Sequence, residues 1–332
     1  MPRENGAGSA ARRVGLERMM LLRSFPQLAD MPPVHLAAMA ELCEENLYPA
    51  GAEILAEGQP VRRIHYVLEG AVELRRRGRP VRRLGPRSIL GGLASLSGTH
   101  DGMQVVAIED TTTFSFTQDD QVDIFEDNFE LLVGVIRDVA DALMEAHMAA
   151  GPAAGFRPDD ETAPYPRQPL SLVEKLAVLR RSAPYAEARL EALAELARES
   201  PEQRFAAGDV LWRAGDPSGF GLMMVAGVVE GVADGGRQRF RFSSRSVVGG
   251  LDSLAARPRW FEATALVDTV VVKVPTGALL DLFEDHVDMA LDLLRVMAGE
   301  VLALRERIGA DGGVAGPAEH RPARGAQTPG GA

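Results

Sequence analysis

Side chains able to do chemistry are few in this sequence, and their spacing builds no catalytic or metal centre. The six histidines are His35, His65, His100, His147, His286 and His320. They include no His-x-His pair and no i, i+4 pair that would set two imidazoles on one helix face. The single cysteine, Cys43, excludes an intramolecular disulfide framework and lies in a helical pattern, where it reads as a core residue. Gly-x-Ser-x-Gly, the phosphate-binding P-loop and the dinucleotide fingerprint are all absent. No enzyme, no catalytic residue and no metal ligand is therefore expected. What remains is electrostatic. Seven arginines crowd Arg75 to Arg87 around a turn residue, Gly78. That reads as a hairpin with a basic solvent face. It is either a docking patch for an acidic partner or phosphate, or an edge guarded by charge against sheet pairing. Two Gly-Gly-Leu steps, Gly91-Gly92-Leu93 and Gly249-Gly250-Leu251, lack the side chains that keep a backbone away from a small anion.

The two Gly-Gly-Leu steps belong to a longer repeat. Ala50-Gly51-Ala52-Glu53-Ile54-Leu55 returns as Ala207-Gly208-Asp209-Val210-Leu211-Trp212, and Glu69-Gly70-Ala71-Val72-Glu73 as Ala226-Gly227-Val228-Val229-Glu230. Ser88-Ile89-Leu90 returns as Ser246-Val247-Val248, and Phe125-Glu126-Asp127 as Phe283-Glu284-Asp285. Order is kept throughout, so one domain occurs twice. Between the copies, residues 151–169 hold five prolines and two glycines, a linker composition. Residues 1–19 read as a flexible N-terminus, 20–150 as the first domain, 170–308 as the second and 309–332 as a disordered tail.

Periodicity changes twice within each copy. Phe25, Leu28, Leu36, Met39, Ala40 and Leu42 fall at helical spacing over residues 24–47, and Leu190, Leu193, Ala194, Leu196 and Ala197 answer in the second copy. Short strands follow: Glu53–Leu55, Ile64–Leu68, Ala71–Arg75, Val81–Leu84, Gln104–Ile108 and Thr112–Phe116. Many short strands with regular turns predict an antiparallel barrel or jelly roll. A long amphipathic helix closes each copy, with stripes from Phe129 to Leu143 and from Val287 to Leu304. Glu126-Asp127 and Glu284-Asp285 are placed at the starts of these helices, where acids complement the helix dipole.

The succession of helix, small β-roll and long helix resembles the cyclic-nucleotide-binding domain of the cAMP receptor protein and of kinase regulatory subunits. The residues carrying the resemblance are Tyr48-Pro49-Ala50-Gly51, Glu57-Gly58, Tyr66-Val67-Leu68-Glu69-Gly70 and Leu90-Gly91-Gly92-Leu93. It covers residues 20–148 and 170–308. The fold it implies is α+β: two tandem jelly-roll-like barrels flanked by helices. In that family a cassette reading Gly-Glu-Leu/Ile-Ala-Leu, followed by Arg-Ala-Ala-Thr, binds the nucleotide. Its Glu accepts from the ribose hydroxyl, and its Arg pairs with the phosphate beside helix N–H groups. Here Gly92 and Gly250 stand where the Glu belongs. Asp101 takes the first Arg position, whereas Arg259 keeps the second, followed by Trp260 and Phe261 in place of small residues. The aromatic pair reads either as filling the pocket or as a stacking platform for a base. A charged hydrogen bond contributes about 1.5–3 kcal/mol, so the first cassette is expected to have lost its ligand. The resemblance also points to an inhibitory Arg-Arg-x segment, for which Arg12-Arg13-Val14-Gly15-Leu16 is a candidate, but Arg-Arg pairs recur at Arg62, Arg82 and Arg180.

These observations converge on a regulatory or scaffolding protein with two degenerate domains. It would act through a protein partner or a homodimer, with Phe129–Met148 and Val287–Ile308 as contact surfaces. The alternative is a sensor of a cyclic nucleotide or another anion in the second domain. The degenerate ligand positions are Gly91, Gly92 and Leu93 in the first copy, and Gly249, Gly250, Leu251, Asp252, Arg259 and Trp260 in the second. No cofactor is expected beyond that possible cyclic nucleotide. A net charge of −11 argues against general nucleic-acid binding, and neither copy leaves room for a helix-turn-helix. No run of about 20 apolar residues suggests a membrane span. The polar N-terminus is not a secretory signal, so a cytoplasmic protein is expected. Abundant Arg, Ala and Gly with little Lys suggest a bacterial source.

Overall fold

The computed structural model describes residues 15–99, 102–150, 163–181, 185–186 and 188–310. The first copy opens with helix α1 (residues 15–23), a 3-10 turn at Pro26–Leu28 and α2 (Pro33–Leu42). Residues 15–19, expected in a flexible N-terminus, are thus helical, and Leu22 on the next turn is fully buried. Six strands follow: β1 (Glu44–Tyr48), β2 (Glu53–Leu55), β3 (Arg63–Glu69), β4 (Val72–Arg76), β5 (Arg79–Leu84) and β6 (Ile89–Leu90). The short helix α3 (Gly92–Ser97) leads to β7 (Gln104–Ala107) and β8 (Thr111–Thr117), then α4 (Gln118–Asp127) and the long α5 (Phe129–Ala150).

The second copy repeats this plan. Helices α6 (Leu172–Leu179) and α7 (Leu190–Glu199) precede β9 (Glu202–Phe205), β10 (Val210–Trp212), β11 (Phe220–Ala226), β12 (Val229–Ala233), β13 (Gln238–Phe242) and β14 (Val247–Val248). Then come α8 (Gly250–Leu254), β15 (Glu262–Ala265), β16 (Thr269–Pro275), α9 (Thr276–Asp285) and α10 (Val287–Ala310). Each copy is a jelly roll of two antiparallel four-stranded sheets. The orders β1-β8-β3-β6 and β2-β7-β4-β5 in the first become β9-β16-β11-β14 and β10-β15-β12-β13 in the second. Even the irregularities recur: β3 slips register on β8 between Val67 and Glu69, and β11 slips on β16 between Met224 and Ala226. The repeat in the sequence is a repeat in topology.

Two sequence expectations about the elements need correction. The helical pattern predicted over residues 24–47 ends at Leu42. Cys43 is the buried C-cap residue, its thiol 3.4 Å from the Ala40 carbonyl, and Glu44–Tyr48 is a strand. That strand has no apolar alternation because it lies at the sheet edge, paired with β8 only. Glu126 and Asp127 end α4 and do not start α5, and Glu284 and Asp285 likewise end α9. They therefore sit at the unfavourable C-terminal pole of a short helix. The arginine-rich hairpin is as expected: β5 is the edge strand of its sheet and Arg77-Gly78, both at positive φ, turn the chain. Arg75 and Arg83 share the buried Glu73 at 2.8 and 3.3 Å, which holds that carboxyl below its ordinary range.

The long helices do not face solvent with their apolar stripes. α5 packs along α10, α10 packs on α3 of the first copy, and α5 packs on α8 of the second. One core cluster joins Leu132, Ile136 and Leu143 of α5 to Leu294, Val301 and Leu304 of α10 and to Val270 and Val272 of β16. The faces expected to meet a partner are spent inside the chain. Asp141 of α5 also meets Arg257 at 2.6 Å, and His147 lies 3.5 Å from Glu300.

Candidate functional site

Each candidate site lies where a two-residue strand delivers a Gly-Gly step into a short helix. In the second copy, Gly249 adopts φ +70° as the N-cap of α8. A side chain there would run into the Arg259 guanidinium and lie 2.8 Å from the Trp212 ring. Gly250 opens α8, where an added Cβ would stand 3.0 Å from the Val247 side chain, and Leu251 packs half-buried on the core between the domains. Asp252 is 1% exposed and Arg259 is 2% exposed, deep in the second barrel.

Arg259 is held at both terminal nitrogens, while its Nε is buried without a hydrogen-bond partner. One terminal nitrogen donates to the Gly249 carbonyl at 2.6 Å and to the Ser253 hydroxyl at 3.3 Å, and the other donates to the Phe220 carbonyl at 2.7 Å. The same guanidinium lies 4.2 Å from the Trp212 ring centre and 4.5 Å from that of Phe220, two cation–π contacts from rings that meet edge to face at 75°. Asp252 completes the shell at 3.4 Å. Burial pushes the Arg259 pKa down and the Asp252 pKa up, because each charge has lost its water; their mutual attraction opposes both shifts.

The rest of the second barrel is aromatic. Trp212, Phe240, Phe242 and Phe261 pack with Leu222, Met224 and Val248 in one cluster. Phe261 is buried and Trp260 stacks on Phe240 with ring centres 5.2 Å apart. Of the two readings of the Trp-Phe pair, the geometry is that of filling.

The first barrel is aliphatic. Leu55, Val61, Val67, Val72, Leu90 and Val105 line it, and Leu302 of α10 packs against them from the second copy. Gly91 takes φ +75° where an added Cβ would collide with Val61, one at Gly92 would touch Ile64 and Ile89, and Leu93 packs on the core between the domains. Asp101 lies outside the described residues, as do Arg12 and Arg13. His65, in β3, is buried beside Thr113 at 3.2 Å, and loss of water lowers its pKa to about 4. A surface hollow of about 350 Å³ lies elsewhere, between α2 and α4, lined by Ala38, Glu41, Leu42, Asp123, Glu126 and Asp127.

The structure thus gathers Gly249, Asp252 and Arg259 into one buried group and leaves Trp260 at its rim. The sequence reading missed Trp212 and Phe220, whose rings both lie against the guanidinium, and Leu302. For Trp212 a signal existed: it replaces Leu55 of the first copy at the matched position. For Leu302 none did, since the contact spans the two copies. Among the described residues no group of three His, Cys, Asp or Glu is placed to hold a metal ion, and no helix is long and apolar enough to cross a membrane.

A family model described as the cyclic nucleotide-binding domain matches residues 45–128 and 202–286. No curated protein matches significantly. Among solved structures, the cAMP-bound regulatory domain of Toxoplasma gondii protein kinase A is 13% identical, over 93% of this chain and 99% of its own, with a TM-score of 0.32. The regulatory subunit of a cAMP-independent protein kinase A from Trypanosoma brucei is 14% identical over 93% and 91%, at 0.33. A cyclic nucleotide-binding-like protein from Brucella abortus is 24% identical over 33% of this chain and 98% of its own, at 0.31. At these scores the likeness says nothing about ligand or partner.

Proposed function

The chain belongs to the cyclic nucleotide-binding domain family, and from that premise we propose that it is a non-catalytic regulatory protein. Its two domains act through contacts with a protein partner or a second copy and do not report a cyclic nucleotide. The observation that carries this reading is Arg259. In the copy that keeps the phosphate arginine, the guanidinium is spent on Gly249, Phe220, Ser253 and Asp252 beneath an aromatic core. A nucleotide phosphate would have to break the hydrogen bonds to Gly249, Phe220 and Ser253, each contributing about 1.5–3 kcal/mol, before making its own. Both copies also carry glycine where the ribose acceptor belongs.

The acidic composition, with only two lysines, Lys175 and Lys273, supports a bacterial cytoplasmic setting. No DNA-reading role is proposed. Calorimetric titration of the full chain with cAMP and with cGMP tests the reading. Silence with both is expected. Micromolar binding at one site per chain, abolished by Arg259→Ala, would replace it with the sensor reading for the second domain.

A further inference from the structure

Among the described residues, Arg259 is the largest side chain buried to this depth. A buried guanidinium without a counter-charge is strongly destabilising, so some anion must face it. Asp252 does so at 3.4 Å, from the third residue of α8, with its side chain 1% exposed. The other copy sharpens the point. Ala94 occupies the position of Asp252 and Asp101 that of Arg259. The acid on the short helix occurs in the copy that keeps the arginine and is missing from the copy that lost it.

We propose that Asp252 is the built-in anion of the second domain: its carboxylate supplies the negative charge that a phosphate-type ligand would otherwise bring to Arg259. It is thereby the residue that shuts such ligands out. Trp212 and Phe220 complete the plug, each ring lying against the guanidinium. This rests on the regulatory reading above but goes further, because it assigns the exclusion to one carboxylate and makes it reversible. With Asp252 neutralised, Arg259 keeps its carbonyl partners but lacks a counter-ion, and a small tetrahedral anion can take the vacated place.

The test uses the full chain in phosphate-free buffer, followed by thermal unfolding with added inorganic phosphate against sodium chloride at matched ionic strength. The wild type should show no phosphate-specific shift. Asp252→Ala should melt lower and gain a saturable phosphate-specific rise, with phosphate affinity increased about tenfold or more, the scale of one charged contact. If Asp252→Ala does not fold, Asp252→Asn keeps the shape, removes the charge and should behave alike. The double variant Asp252→Ala with Arg259→Met should recover stability and respond to neither salt specifically. A neutralised variant no more sensitive to phosphate than the wild type overturns the proposal and leaves the regulatory reading standing. A wild type that already binds cAMP overturns that reading instead.

Discussion

Replacing Gly249 by Ala should destabilise the chain far more than the same change at Gly215. Both glycines belong to the second copy and both hold positive φ, +70° and +91°. A Cβ on Gly215 meets nothing within 4 Å, so Gly215→Ala carries only the left-handed penalty of about 1–2 kcal/mol. Restriction of the unfolded chain returns about 0.4–1 kcal/mol of that. The net cost is about 1 kcal/mol. At Gly249 the same methyl collides with the Arg259 guanidinium and stands 2.8 Å from Trp212. Neither can retreat, since the terminal nitrogens of Arg259 are hydrogen-bonded to Gly249, Ser253 and Phe220 and Trp212 is 5% exposed in a packed cluster. Overpacking adds about 1–3 kcal/mol. Displacing the guanidinium from the Gly249 carbonyl adds about 1.5–3 kcal/mol. Gly249→Ala should therefore cost about 4 kcal/mol or more. Urea unfolding of the full chain, with m-values checked for constancy, measures both. Costs within about 1 kcal/mol of each other would refute the claim that Arg259 is locked against its surroundings, since the two sites differ chiefly in that contact.

Acid should weaken the first domain through His65. Its folded pKa of about 4 lies below the ordinary 6.5, so the unfolded chain binds the extra proton. The stability present above pH ~6.5 is lost as pH falls toward 4, by about 3 kcal/mol in all. His65→Gln should flatten that part of the pH–stability curve measured by urea unfolding. Leu304→Ala, at a fully buried position in the core shared by both copies, should cost about 2–5 kcal/mol. Calorimetry should then still show one transition; two separated ones would mean that the copies unfold independently. The Asp141–Arg257 pair, partly exposed, should give a coupling energy of only about 0.5 kcal/mol in a double-mutant cycle, and one above about 2 kcal/mol would mark it as a structural clamp.

The fold was legible where the chain repeats and where apolar residues alternate. The strand from Glu53 to Leu55 lies where its pattern put it, and α5 and α10 carry the apolar stripes their spacing predicts, although these are buried between the copies and not offered to a partner. Legibility failed where burial does not dictate pattern. β1 carries Glu44, Glu45 and Asn46 and exists because β8 pairs with it, a non-local cause. α4 was overlooked although Thr117 and Asp120 form a capping box at its start, because only Gln121, Ile124 and Phe125 are buried along it. At the site, the repeat alignment located Arg259, but one letter cannot say which way a guanidinium points. That direction depends on Phe220 and Trp212, each more than 35 residues away in sequence.

The core common to α5 and α10 also constrains how the chain comes into being. Leu132 and Leu304 share one cluster although they stand 172 positions apart in the sequence. Contacts of such separation raise contact order and slow folding. During synthesis the first copy leaves the ribosome with the stripe of α5 uncovered. At about 5–20 residues per second it waits on the order of ten seconds or more for α10. Over that interval it is a sticky species and a natural client for a chaperone. A gene truncated after residue 150 would make the wait permanent, so the first half alone should aggregate where the whole chain does not.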